Sequence, residues 1–69
     1  MDAEAARTKV RQLLLSADNT VKNRNEPERF SRARLRVQEA RDLAVAAGLV
    51  EIMPFIDRRL ADLEPGDDA

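Results

Sequence analysis

Four side chains that carry much of enzyme chemistry are missing from this sequence: histidine, cysteine, tyrosine and tryptophan. Their absence removes the commonest general base, all thiol chemistry and the usual zinc ligands. Disulfide bonds are excluded too, so no covalent cross-link supports the fold. Glycine occurs only as Gly48 and Gly66, which leaves no glycine-rich loop to cradle a phosphate. We therefore expect no enzymatic activity, no catalytic or metal-binding residues and no cofactor.

Long hydrophobic runs and a dominant charge sign are also missing. No apolar run approaches the roughly 18–20 residues that a membrane span needs. The 12 Lys and Arg residues nearly balance the 13 Asp and Glu residues, for a net charge of −1. Overall charge thus gives no reason to expect a nucleic acid or a membrane as partner. Residues 1–4 lack the basic and apolar regions of a signal peptide, so we expect a cytoplasmic protein.

The length of 69 residues allows one domain at most. A chain of this size buries only about 60% of its unfolded surface, so a lone core is marginal. Such chains usually need very regular helix packing or a partner, which is evidence for binding or oligomerisation. We expect residues 1–64 to form a single helical domain and residues 65–69 to form an acidic, flexible tail.

The most informative pattern that is present is an apolar stripe with steps of 3, 4, 3, 4 and 3 residues. Its members are Phe30, Ala33, Val37, Ala40, Ala44 and Ala47. This spacing defines one face of an α-helix and does not occur in strands. Because four of the six are alanine, we expect a second helix to come unusually close along this face.

Local signals place three helices. Apolar positions on one helical face predict a first helix over residues 3–22, followed by a turn at residues 23–25. Asn25 suits the N-cap of a second helix, with Pro27 in its first turn and Glu28 as the capping-box acid. The second helix is therefore predicted over residues 26–47, ended by Gly48 in a left-handed conformation.

Pro54 sets the start of the third helix, because proline cannot lie deep inside a helix. We expect residues 49–52 to form a hydrophobic turn and the regular helix to begin near Met53 and reach Leu63. The fold class is thus all-α: a small three-helix domain with an antiparallel helical hairpin and a shorter third helix. Phe55 is expected to anchor the core together with the predicted core residues Val10, Leu14, Phe30, Ala33, Val37, Ala40, Ala44, Ile56 and Leu60.

Residues 30–48 resemble the second helix of a tetratricopeptide-type repeat. Ala33, Val37 and Ala40 match the small, larger and small apolar positions of that family at spacings of 4 and 3. Residues 3–22 would be the preceding first helix and residues 49–63 the first helix of the next repeat, about one and a half repeats in all. The resemblance implies helix-hairpin packing and a protein-binding role, and it assigns no ligand residues. A generic three-helix bundle and a dimerising helical hairpin stay open as alternatives.

Two leucines and an arginine row point outward from the apolar stripe. Leu15 and Leu35 lie well off the main stripes of their helices, which suggests either a second buried surface or cover by the third helix. We predict a small non-catalytic protein–protein interaction module that self-associates, a homodimer being one form. The candidate partner contacts are Leu15, Arg29, Arg32, Leu35 and Arg36.

The alternative function is that of a nucleic-acid-associated regulatory protein. Arg29, Arg32 and Arg36 fall on one stripe of the second helix, as in a phosphate-binding row. Interleaved acids, the lack of aromatics for base stacking and the negative net charge argue against it.

Charge is also unevenly distributed along the chain. Residues 1–47 carry 10 cations and 7 acids, a net charge of +3, whereas residues 48–69 carry 2 cations and 6 acids, a net charge of −4. We expect the two parts to complement each other, within one chain or between chains.

Overall fold

A computed structural model describes residues 2–63 as three α-helices and one 3-10 turn, with no strand in that range. Helix α1 spans Ala3–Lys22, α2 spans Arg29–Ala47 and α3 spans Met53–Asp62, with the 3-10 turn at Val50–Ile52. The predicted fold class is confirmed, since α1 and α2 pack along one another as a hairpin and α3 is shorter. The predicted tail over residues 65–69 lies outside the described residues.

Both ends of α1 are set by side chains of the local sequence. The Asp2 carboxylate accepts a hydrogen bond from the backbone N–H of Ala5 at 2.7 Å and so caps the first turn. Glu4 adds a negative charge at the positive end of the helix dipole. At the other end Asn23 takes an extended conformation, and its side-chain oxygen accepts from the N–H of Asn25 at 3.1 Å. This Asx-type turn follows α1 at residues 23–25, where the sequence predicts a turn.

Helix α2 begins three residues later than its sequence indicates. The predictions of a start at Glu26, of an Asn25 cap and of Pro27 in the first turn are wrong. Proline disfavours the helical conformation of the residue before it, so Glu26 stays in the turn, where its N–H donates to the Asn23 carbonyl at 3.0 Å. Glu28 then enters the helix in the left-handed region, with φ of 53° and no side-chain cap. The Asn25 side chain has no place as a cap once the turn extends this far.

The end of α2 and the start of α3 agree with the prediction. Gly48 is left-handed, with φ of 71°, and the N–H of Leu49 returns to the carbonyl of Ala44 at 2.9 Å. Leu49 is buried, so the reversal also delivers an apolar side chain to the core. Pro54 falls within the first turn of α3, where its missing N–H costs little.

The buried core is built from small side chains. Alanine makes up most of it, and the largest fully buried side chains are Ile56 and Val37. The buried residues are Ala6, Val10, Ala17, Ala33, Val37, Ala40, Ala44, Leu49 and Ile56. Those contributed by α1 and α2, from Ala6 to Ala44, form what we call the seam between these helices. Leu14 and Leu60, predicted as core, are half-buried and pack against this cluster.

Both phenylalanines lie outside this core. Phe30, predicted as a core residue, is 41% exposed, and Phe55, expected to anchor the core, is 69% exposed. Phe30 is the second residue of α2, at the end of the hairpin, where the seam has already run out. Phe55 lies on α3 beside Ile56, and it is Ile56 that takes the buried position. The prediction of aromatic core anchors is therefore wrong.

Helix α3 packs on α2 and runs antiparallel to it. Near the start of α3, Arg41 Nε lies 2.9 Å from Asp57 Oδ1. Beyond its end, the Arg34 guanidinium reaches the carbonyl of Leu63 at 3.4 Å. Because α1 and α3 are both antiparallel to α2, they run in the same direction, and they do not pack closely on each other. The space between them is an open groove, with α2 at its base.

Candidate interaction surface

The groove between α1 and α3 is an apolar concavity beside both exposed phenylalanines. It contains two pockets, one beside Phe55 and one beside Phe30, with volumes of about 220 and 430 Å³. These two phenylalanines are the only aromatic residues of the chain. The chain thus places both of its aromatic side chains along one surface feature.

The Phe55 end of the groove is apolar at its base and basic on one rim. Val10 and Leu14 come from α1, while Ile52 and Phe55 come from the 3-10 turn and α3. Arg7 and Arg11 stand on the α1 side of the same pocket. The one-turn spacing of Arg7, Arg11 and Leu14 places all three on the flank of α1 that faces α3.

The Phe30 end is wider and carries charges of both signs. Its apolar lining comes from all three helices and the residue after α3, namely Ala17, Val21, Phe30, Val37 and Leu63. Its charged lining consists of Asp18, Lys22, Arg59 and Asp62. An apolar base with a mixed polar rim is the usual anatomy of a protein-binding surface.

Two ion pairs bridge the groove, one from α1 to the 3-10 turn and one from α1 to α3. The Arg7 guanidinium donates to the Glu51 carboxylate near the first end, and Arg59 donates to Asp18 further along. Hydrogen bonding from Arg7 lowers the pKa of Glu51 below its ordinary value, and a backbone hydrogen bond adds to this effect. All four side chains are about half exposed, so solvent screens both pairs. The pairs therefore affect the position of α3 relative to α1 more than they affect the stability of the fold.

The leucines predicted as partner contacts lie outside the groove. Leu15 is 56% exposed and Leu35 is 68% exposed. The alternative that α3 covers one of them does not hold, since both remain in solvent. Leu15 borders a shallow, mostly polar depression on the outer side of α1, together with Gln12 and Asn19. Their role as contacts stays a prediction.

The arginine row on α2 is partly engaged within the chain. Arg32 Nη1 lies 2.9 Å from Glu26 Oε1, which ties the turn to the first part of α2. The Arg29 guanidinium stacks 4.9 Å from the centre of the Phe30 ring. Arg36 is half-buried, and its Nε has no hydrogen-bond acceptor among residues 2–63. These contacts leave the row less free for phosphates than its spacing suggests, and nucleic-acid binding stays a prediction.

The groove itself was not predicted from the sequence. Its signal is present in hindsight: Leu14 and Val21 widen the apolar face of α1 beyond the part that α2 buries, and both stay half-buried. The sequence could not show that α3 would be too short and too far from α1 to close over them. Periodicity identifies an apolar face, but not whether a neighbour covers it.

Other kinds of site are not supported within the described part of the chain. No group of three or more potential metal ligands occurs among residues 2–63. In the same range, none of the helices combines the length and the apolar character required for crossing a membrane.

Comparison with known proteins adds no assignment. No protein-family model matches the sequence, and neither the curated proteins nor the solved structures gave a match. The resemblance to tetratricopeptide-type repeats therefore stays a prediction, and the groove has to be interpreted from its own residues.

Proposed function

We propose that this chain is a non-catalytic protein–protein interaction module that self-associates through the groove between α1 and α3. The observation that carries the proposal is an inversion of side-chain size. The buried core uses alanine, valine and single leucine and isoleucine residues, while both phenylalanines lie exposed beside the groove. Large aromatic side chains usually go to the core, and exposed aromatic side chains beside an apolar concavity are typical of binding sites.

Covering the exposed phenylalanines would favour association, against the cost of bringing two chains together. A phenylalanine side chain presents roughly 200 Å², so 69% exposure of Phe55 leaves on the order of 140 Å² of apolar surface in water. At about 25 cal/mol per Å², covering that surface contributes about 3.5 kcal/mol per copy. Phe30 adds a smaller amount, because Arg29 already covers part of its ring.

The small core supplies the second reason. A domain of this size has a marginal core, and here that core has neither a disulfide nor an aromatic side chain. A second copy that covers the groove would add apolar burial that one chain does not achieve. Self-association then stabilises the fold as well as forming the interface.

Sedimentation velocity over a range of protein concentrations tests the proposal. We expect the mass to rise with concentration from 7.8 kDa for the monomer toward twice that value. Phe55→Ala should raise the concentration needed for association at least tenfold, since about 1.4 kcal/mol corresponds to a factor of ten. A chain that stays monomeric at every concentration tested would refute self-association.

Leu35→Ala is the matched control for the groove. Leu35 is as exposed as Phe55 but lies on the outer side of α2, away from both pockets of the groove. We expect its replacement to leave the association constant unchanged. If Leu35→Ala weakens association and Phe55→Ala does not, the interface lies on the outer face and the groove is the wrong surface.

A further inference from the structure

The charges on the two rims of the groove are complementary, level by level. In order from the Phe55 end, the α1 rim carries Arg7, Arg11, Asp18 and Lys22. The opposite rim carries Glu51, Phe55, Arg59 and Asp62 in the same order. A charge on one rim therefore faces the opposite charge, or an aromatic ring, on the other rim.

Two of these levels are already paired within the chain, and the last one is not. Arg7 pairs with Glu51 and Asp18 pairs with Arg59. Lys22 and Asp62 line the same pocket from opposite sides, yet neither takes part in an ion pair among residues 2–63. Both side chains are exposed and thus accessible to a second copy.

A twofold axis that runs along the groove would bring the opposite charges of the two copies together. Such an axis places α1 of each copy over α3 of the other at the same level. Lys22 then meets Asp62 of the partner subunit, and Arg11 lies over the ring of the partner's Phe55 as a cation–π contact. By symmetry each contact forms twice, as in an isologous dimer.

A twofold axis across the groove gives a less favourable result, because it brings like charges together at both ends of the groove and leaves opposite charges facing only in the middle, where Arg11 would meet Asp18 of the partner subunit. It would place α1 on α1 and α3 on α3 with the ends reversed. Arg7 would then approach Lys22 of the partner subunit, and Glu51 would approach the partner's Asp62. Like charges brought together at an interface oppose association, so the charge pattern distinguishes the two arrangements.

We propose that a second copy of this chain docks in the groove with its helices parallel, so that α1 of each copy faces α3 of the other. The inference rests on the proposed self-association and adds its geometry. All four helices of the groove then run in one direction around the twofold axis, and the two α2 helices lie outside them. The apolar core of this interface is formed by Phe55, Leu14 and Val21 of both copies.

Cysteine cross-linking tests the arrangement cleanly, because the chain contains no cysteine of its own. Lys22→Cys, Asp62→Cys and Arg7→Cys are made singly, with tags of different mass, and are mixed in pairs with a short bismaleimide. We expect the mixture of Lys22→Cys with Asp62→Cys to give the cross-linked heterodimer in several-fold excess over either variant alone. Preferential cross-linking of Lys22→Cys with Arg7→Cys would show antiparallel helices and overturn the proposal.

Charge reversal provides an independent readout by sedimentation. Lys22→Glu and Asp62→Lys should each weaken dimerisation about three- to tenfold, and the double variant should recover most of the loss. Lys9→Glu is the control, since it makes the same charge change on α1 outside both pockets. Single losses without recovery in the double variant would contradict the Lys22–Asp62 contact.

These experiments separate the arrangement from the proposed function. If the native chain dimerises but neither the cross-linking pair nor the charge reversal behaves as expected, the parallel arrangement is wrong and self-association stands. If the native chain remains monomeric throughout, the proposed function fails together with the arrangement.

Discussion

Helix α1 has two neighbours, and it meets them in different ways. Along α2 it packs through buried alanine and valine side chains, among them Ala17 of α1 and Ala40 of α2. Along α3 it leaves a groove bridged by two exposed ion pairs and flanked by exposed phenylalanines. The side chains of the seam are thus buried within one chain, whereas the groove leaves apolar side chains exposed to solvent. The difference shows that small residues let two helices pack closely, whereas large apolar residues that no neighbouring helix covers leave a surface on which a partner can bind.

The largest expected effect comes from Ile56, the fully buried side chain of α3. Ile56→Ala removes a fully buried side chain and should lower the free energy of unfolding by about 3 kcal/mol, most of what a domain of this size has. Urea unfolding followed by circular dichroism measures this change.

Phe55→Ala is the neighbouring control on the same helix. Measured at a concentration where the chain is monomeric, it should cost less than about 1 kcal/mol, because a mostly exposed side chain loses little packing when it is shortened. Equal losses for Ile56→Ala and Phe55→Ala would mean that the groove is already closed in the monomer and would remove the distinction between core and groove.

The next effect probes the closeness of the seam. Ala40→Leu adds three carbon atoms at a fully buried position. Overpacking of this kind should lower the free energy of unfolding by about 1–3 kcal/mol. Ala46→Leu makes the same change on the exposed side of α2 and should be nearly neutral. Thermal unfolding of the two variants gives the comparison. A neutral Ala40→Leu would show that α1 and α2 are not held in close contact by their alanines.

The sequence predicts the seam better than the groove, for a physical reason. The alanine stripe, the end of α2 at Gly48 and the start of α3 near Pro54 follow from local geometry. A 3.6-residue period, a left-handed glycine and the steric limits of proline each act within a few residues. The two helix boundaries agree with the structure, and four of the six stripe residues, Ala33, Val37, Ala40 and Ala44, are buried.

The failures have two causes, a local turn that competes with the helix start and the tertiary surroundings of a side chain. The Asn25 to Glu28 segment has the composition of a helix cap, but hydrogen bonds to Asn23 and the conformational limit before Pro27 extend the turn instead. Phe30 follows the helical period, yet it lies at the end of the hairpin and stays 41% exposed. Whether a periodic apolar residue is buried depends on the length and position of its neighbours, and these emerge only in the assembled fold.

The smallest expected effect concerns the ion pair that bridges the groove. Because Arg7 donates to Glu51, the pKa of Glu51 is lowered from its ordinary value in the folded chain. A lowered pKa means that the contribution of this pair to stability is present above the unfolded-state pKa and is lost as the pH falls through the folded-state pKa.

An NMR titration of the Glu51 carboxyl should show the lowered pKa directly. In Arg7→Gln the pKa should move back up toward its ordinary value. Arg11→Gln, one turn along the same helix, should leave the pKa of Glu51 unchanged. An equal response to both variants would mean that general positive charge, and not the Arg7–Glu51 pair, lowers this pKa.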